Sequence, residues 1–255
     1  MKRSKSGGFL GKLLAAVLLF ASCAAQAEEI TGAVAANMKG AFTDIAAEFG
    51  RESGIEVKSV FGSSGKIVSQ VKSGAPFDVF LSADTEFPDA LYKEGLATSA
   101  SRVYAYGVLV LWTKKDIDLG KGVAVVSEAA VQKVAIANPR LAPYGRAAVQ
   151  VLEKAGLDKI AGPKLVYGEN ITQTLQFAES GAADIGFVAK SLAVAPEMAG
   201  KGRWADVPRG SYDPIAQGVV VLTHGAETQA AHKLVDFLFT SRARAIFEKY
   251  GYLLP

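Results

Sequence analysis

Residues 55–82 read IEVKSVFGSSGKIVSQVKSGAPFDVFLS. The first seven, 55–61, carry Ile55, Val57, Val60 and Phe61 among polar residues and read as a strand. Residues 64–72 then set Ile67, Val68 and Val71 on one face at helical spacing, and Gly74 ends that helix. Residues 77–82 are again short and apolar, a second strand. Strand, helix and strand in this order imply a parallel sheet covered by helices.

The same alternation extends in both directions. Upstream, 30–36 reads as a strand. It is followed by a helix with Phe42, Ile45, Ala46 and Phe49 inward, ending before Gly54. Downstream, 87–93 is helical up to Gly95, and 107–113 and 133–137 are apolar strands. A helix over 143–154 carries Pro143 in its first turn, where proline fits. Another helix covers 171–179, then strands 185–189 and 215–223. A long helix over 227–240 buries Leu234, Val235, Leu238 and Phe239, and a last one covers 241–250. No internal repeat or low-complexity tract interrupts the pattern. Two α/β lobes fit this run of elements, with chain crossovers near Gly107 and Gly218. Lobe I is expected over 28–107 and 216–255, and lobe II, inserted in it, over 108–215.

The N-terminus departs from this pattern. Lys2, Arg3, Lys5 and Lys12 precede a short apolar run over 13–21, and Ala25-Gln26-Ala27 follows. This is the pattern of a secretory signal peptide over 1–27, too short in its apolar part to span a bilayer. The alternative is a lipoprotein signal, in which Phe20-Ala21-Ser22-Cys23 is a loose lipobox and Cys23 the anchored residue. Either reading places the protein outside the cytoplasm, and the first makes it periplasmic. Of 28 basic residues the leader takes four, which leaves 24 against 25 acidic ones. The basic balance of the full chain therefore belongs to the leader and gives no reason to expect a nucleic-acid partner. Cys23 is the only cysteine, so the mature chain has neither disulfide nor thiol chemistry. Half the residues are hydrophobic, which suits a sizeable core.

Signals for catalysis are weak. The two histidines, His224 and His232, fall near the last long helix and read as surface residues. No zinc-binding or P-loop pattern is complete, and Ser63-Ser64-Gly65 is not a nucleophile elbow. More informative is what begins the helices. Asn37 opens the first, Ser63 and Ser64 the second. Pro143, Tyr144 and Gly145 open a later one, and Glu169, Asn170 and Ile171 the next. Each residue alone is an ordinary helix cap. Several helix N-termini aimed at one point, however, make an anion site from backbone N–H groups without any Lys or Arg.

Several blocks carry a family resemblance: AVAANMKGAFTDIA (33–46), VFGSSGKIVSQVKSGAPFDVFLSAD (60–84), NPRLAPYGRAA (138–148), GENITQTLQFAESGAADIGFV (168–188) and IFEKYGY (246–252). In order and spacing, residues 30–255 resemble the periplasmic molybdate-binding proteins of ABC importers. The resemblance implies the two-lobed periplasmic binding protein fold, each lobe a mostly parallel sheet flanked by helices, with the ligand in the cleft between lobes. It implies no enzyme activity and no cofactor. The ligand it implies is molybdate or tungstate, bound as an oxyanion, and the partner it implies is a membrane permease served by a monomer. The family's contacts fall on Asn37, Ser64, Tyr144 and Ile171, with Ala36, Ser63 and Asn170 beside them. Many relatives carry a binding tyrosine where this chain has Ala189, so Tyr144 supplies the phenol from the other side of the pocket.

Elementary chemistry agrees with that set. A tetrahedral dianion without a proton offers only acceptors, and the Asn37 amide, the Ser64 and Tyr144 hydroxyls and backbone N–H groups can all donate. A phosphate receptor wants an acceptor carboxylate. Asp84 reads instead as a cap or lobe-stabilising residue and Asp78 as a structural one at a strand end. The competing expectations are a receptor for sulfate, phosphate or ferric ion, an exported serine hydrolase using Ser64, and an interaction protein without a ligand.

Overall fold

Seven residues, Glu29–Ala35, form strand β1, in which Ile30, Ala33, Val34 and Ala35 are buried. The chain passes through a 3-10 turn, Ala36–Met38, into helix α1, Lys39–Ser53. Ala41, Phe42, Ile45 and Phe49 make its buried stripe. Gly54 ends it at φ 72°, a left-handed conformation that costs glycine least. The computed structural model describes residues 28–255, so the expected leader and Cys23 lie outside the described residues.

Strand β2 (Glu56–Gly62), helix α2 (Ser64–Lys72), strand β3 (Val79–Leu81), helix α3 (Glu86–Lys93) and strand β4 (Arg102–Gly107) follow. The chain then enters a second sheet through β5 (Leu109–Thr113) and β6 (Val134–Ala137). Helices α4 (Pro143–Lys154) and α5 (Asp158–Ala161), strand β7 (Leu165–Gly168) and helix α6 (Ile171–Ser180) come next. After them stand β8 (Ile185–Ala189), the short α7 (Lys190–Ala193) and β9 (Arg203–Asp206). The chain returns as β10 (Ile215–Val221) and ends in α8 (Gln229–Phe237) and α9 (Ser241–Lys249).

The first sheet has the order β2-β1-β3-β10-β4 and the second β7-β6-β8-β5-β9. In each, four strands share one direction and one opposes them. The opposing strands are β10 and β5, the first strand after each crossing between sheets. The crossings are therefore adjacent in space and build a two-stranded hinge. Each sheet has its own core. Phe42, Ile45, Leu81 and Leu234 belong to the first, and Trp112, Ile136, Leu152 and Phe187 to the second. Ala35, Ala36 and Ala83, on the first sheet's side, join the second core. The two halves are thus in apolar contact and the cleft between them is closed.

Three details depart from the sequence expectation. The apolar run expected as one strand over 107–113 is divided: β4 ends at Gly107 in one sheet and β5 begins at Leu109 in the other. A Cβ at Gly107 would stand 2.1 Å from the Tyr144 hydroxyl, so a glycine is needed where the chain crosses. The helix expected over 227–240 is shorter, because a 3-10 turn at Thr223–Gly225 precedes it and α8 starts at Gln229. Edge strands β7 and β9 carry half-exposed residues without clean alternation, and only the structure shows them. Among the described residues, no helix is long and apolar enough to cross a membrane.

Candidate functional site

The carboxyl ends of β1 and β2 each run directly into a helical turn, as β-α units dictate, and those turns point into the cleft. From the other half, the starts of α4 and α6 point back at them. Together they line one small pocket. Its wall consists of Ala35, Ala36, Asn37, Gly62, Ser63, Ser64 and Ala83 on one side, and Ala142, Pro143, Tyr144, Asn170 and Ile171 on the other. Every residue expected at an oxyanion site from the sequence is brought to this one cavity. Neither Asp78 nor Asp84 is among its walls.

Hydrogen bonding divides these residues by what they have left to offer. The Ser64 hydroxyl oxygen accepts the Ala83 N–H at 3.0 Å, and its own proton has no acceptor among the described residues. The Tyr144 hydroxyl accepts from Gln217 Nε2 at 3.2 Å, and its proton likewise has none. Ser63 is 3% exposed and stands at the cap position of α2, yet its hydroxyl makes no hydrogen bond at all. A buried hydroxyl without a partner costs about 1–3 kcal/mol, so an acceptor arriving in the cavity would relieve it. Asn170 does what a cap does: its Oδ1 accepts the Gln173 N–H at 3.0 Å. The backbone N–H groups of Asn37, Ser64, Tyr144 and Ile171 lie in first turns, ahead of any helical acceptor, and find none elsewhere among the described residues.

Asn37 is placed differently from the expectation for its side chain. Its Nδ2 donates to Gln217 Oε1 and to the Tyr252 hydroxyl, both at 2.9 Å, which uses both amide protons inside the protein. Its carbonyl accepts from Ser191 Oγ at 2.8 Å and from the Tyr252 hydroxyl at 3.0 Å. What Asn37 can offer a ligand is its backbone N–H. Ala189, the position at which many relatives were expected to hold a tyrosine, is fully buried at the end of β8 and pairs with Leu109.

Sequence reading missed the polar layer behind the cavity. Gln217 and Ser191, with the hydroxyls of Tyr104 and Tyr252, are buried there and interlinked. One signal was available, since Gln217 is the single amide in the apolar run of β10. Burial pushes the Tyr144 phenol well above its ordinary value, and the neighbouring phenols of Tyr252, Tyr212 and Tyr104 add to this. Tyr104 and Tyr252 are also raised, again by burial first. All three keep their protons at neutral pH.

The cleft is held shut by contacts from both halves. Gly65 N–H donates to the Leu141 carbonyl at 2.9 Å, and Thr172 Oγ1 to the Ala36 carbonyl at 3.2 Å. Lys66 pairs with Glu169, and Arg146 with Asp84. Asp84 also accepts the Phe87 N–H at 3.1 Å in the first turn of α3. Burial pushes its carboxyl up, against the lowering effects of the Phe87 N–H and Arg146. Asp78 accepts the Thr31 N–H at 2.7 Å and meets the half-exposed His224 at 3.0 Å, and His232 contacts the Ala226 carbonyl. Neither histidine is near Ser64, whose hydrogen-bond partner is a backbone amide, so the serine has no base beside it. Among the described residues, no group of three or more His, Cys, Asp or Glu side chains could hold a metal ion.

Two α/β halves thus close on a small pocket lined by hydrogen-bond donors. Residues 30–253 match the model of the bacterial extracellular solute-binding proteins. The chain belongs to that family. It is a solute receptor and not an enzyme. It is 44% identical to a molybdate-binding protein of Azotobacter vinelandii over 91% of this chain and 92% of that one. It is 41% identical to the molybdate-binding protein of Rhodobacter capsulatus over 95% of each. Among solved structures, it superposes on a periplasmic molybdate-binding protein of Azotobacter vinelandii with a TM-score of 0.83 at 35% identity, covering 89% of this chain and 99% of that one.

Proposed function

We propose that the protein captures molybdate, and tungstate with it, in the interlobe cavity and hands it to the permease of an ABC importer. The donor character of the cavity carries this reading. The free protons of Ser64 and Tyr144, the unpartnered Ser63 hydroxyl and the amide N–H groups of Asn37, Ser64, Tyr144 and Ile171 all face an acceptor-only ligand. Ala36 and Asn170 complete the wall, Asn170 as a cap that holds the first turn of α6 in place. The molybdate-binding relatives support the choice of anion.

In this reading the lobes comprise 28–107 with 216–255, and 108–215. Binding shifts a hinge equilibrium toward the closed form, which the permease recognises. The mature protein begins at Glu28, works in the periplasm and is a monomer. A thermal-shift panel of oxyanions tests the ligand. Molybdate and tungstate at 100 times Kd should each add about 2.7 kcal/mol to folded-state stability by mass action, while sulfate and phosphate at the same concentration move Tm little. A sulfate shift equal to that of molybdate removes the assignment.

A further inference from the structure

Gln217 is fully buried in the middle of β10, at a bulge in its pairing with β4. An amide in such a place needs hydrogen-bond partners to be tolerated, and this one has them at both its oxygen and its nitrogen. Its Oε1 accepts from Asn37 Nδ2 at 2.9 Å and lies 3.0 Å from the Tyr104 hydroxyl, whose one proton it shares with the Ser82 carbonyl at 3.1 Å, while its Nε2 donates to the Tyr144 hydroxyl at 3.2 Å. Turning the amide over would set Nε2 against the Asn37 Nδ2, donor to donor. Asn37 is fixed in its turn. The Tyr252 hydroxyl gives its proton to the Asn37 carbonyl and so presents only its oxygen to Nδ2. Asn37 thus donates on both sides, to Tyr252 and to Gln217, and from Gln217 the donation passes on to Tyr144.

A phenol has one proton and an oxygen that accepts. With a Gln217 N–H on its oxygen and no protein acceptor for its proton, Tyr144 turns that proton toward the cavity. An acceptor at 217 would draw the proton the other way and leave a lone pair facing the ligand. Ring position and pocket shape would be unchanged, but the sign of the hydrogen bond offered to the ligand would be reversed.

We infer that Gln217 is a positioning residue that determines specificity: by donating to the Tyr144 hydroxyl it holds that hydroxyl as a donor toward the ligand, and so selects oxyanions without a proton over those that carry one. This rests on Tyr144 as a ligand contact and adds what fixes its sense. A P–O–H group in the cavity meets another donor; molybdate, tungstate and sulfate bring no such group.

The test is the ratio of hydrogen phosphate to sulfate affinity, measured by direct calorimetric titration of the mature chain in mildly alkaline buffer. Both anions are tetrahedral dianions of similar size there, so charge and pocket volume cancel in the ratio and the proton remains. Gln217→Met removes the N–H with little change of length. The ratio should rise about 10-fold, the equivalent of roughly 1.4 kcal/mol for one hydrogen bond. In a Tyr144→Phe background the same substitution should change the ratio less than about 2-fold, because the hydroxyl it acts through is gone. An unchanged ratio in Gln217→Met, or an equal rise without the hydroxyl, overturns the inference. A merely structural Gln217 would weaken both anions together and leave the ratio alone. If circular dichroism shows Gln217→Met unfolded, Gln217→Glu is titrated in the same buffer. Its carboxylate keeps the acceptor for Asn37 and Tyr104 and offers a second one to Tyr144, so the ratio should rise further. A wild-type chain that binds sulfate and not molybdate removes the ligand assignment and leaves the ratio to decide this point. One that binds no oxyanion overturns both.

Discussion

The first turns of α2 and α6 face one cavity from opposite lobes, and they use the same kind of residue in opposite ways. Both begin with a short polar side chain in extended conformation, Ser63 at φ −69° and ψ 146° and Asn170 at φ −145° and ψ 175°. Asn170 turns its side chain onto its own helix and satisfies the Gln173 N–H. Ser63 leaves its helix uncapped and its hydroxyl unbonded, while Ser64 beside it keeps a free proton. Lobe II thus presents the backbone of α6 with its side-chain chemistry already used, and lobe I presents side-chain donors held in reserve. Changes on the α2 side should therefore register in affinity, and changes on the α6 side in stability.

The largest effect is expected at Ser64. Ser64→Ala removes a donor to a buried dianion, and hydrogen bonds to charged groups are worth about 1.5–3 kcal/mol, or roughly 10- to 150-fold in Kd. Isothermal titration of molybdate reads it directly. Tyr144→Phe keeps the ring and removes only the hydroxyl, and should weaken molybdate by about 10-fold in the same titration. If neither substitution changes Kd in a folded protein, the donors of lobe I and α4 are ordinary caps and packing groups, and the contrast with α6 disappears.

Gly65 tests the same contrast through closure. A Cβ there would stand 3.1 Å from both the Leu141 Cα and the Phe87 ring, one of them backbone of the opposite lobe. Gly65→Ala should hold the lobes slightly apart and loosen the Gly65–Leu141 hydrogen bond, worth about 0.5–1.5 kcal/mol net. The expected outcome is molybdate affinity down by about 2- to 10-fold, with small-angle scattering of the ligand-bound variant showing a larger radius of gyration than wild type. An unchanged radius and Kd would mean that the Leu141 side tolerates the methyl group.

These tests concern residues that the sequence made visible, and it is instructive to see why. Helix α2 ends and helix α4 begins where expected because Gly74 and Pro143 are local stop and start signals that need no tertiary context. The convergence of their N-termini could be read through a family resemblance, since blocks far apart in sequence come together only in the fold. The division of 107–113 could not be read, because an unbroken apolar run is equally suited to one strand or to a crossing between two sheets. Nor could the difference between Ser63 and Asn170. Both are good capping residues by type, and which one caps depends on where the opposite lobe sits. The role of Gln217 is hidden for the same reason: its partners Asn37, Tyr104 and Tyr144 lie 180, 113 and 73 residues away.

The smallest effect expected is the most direct comparison of the two helix starts. Asn170→Ala removes a cap, which typically costs about 1 kcal/mol of stability. The backbone N–H of Ile171 remains, so molybdate affinity should change less than about 3-fold, a shift below one hydrogen bond. Ser63→Ala should do the reverse. The hydroxyl it deletes is bonded to nothing in the protein, so the ligand-free chain should unfold at the same urea concentration as wild type or a slightly higher one. The loss appears only with ligand present, as weaker molybdate binding by up to about 10-fold. Urea melts of each variant with and without molybdate separate the four values. If Ser63→Ala lowers ligand-free stability as Asn170→Ala does, the serine caps α2 in solution. The two helix starts would then be alike, and the donors of lobe I would reduce to Ser64 and the backbone.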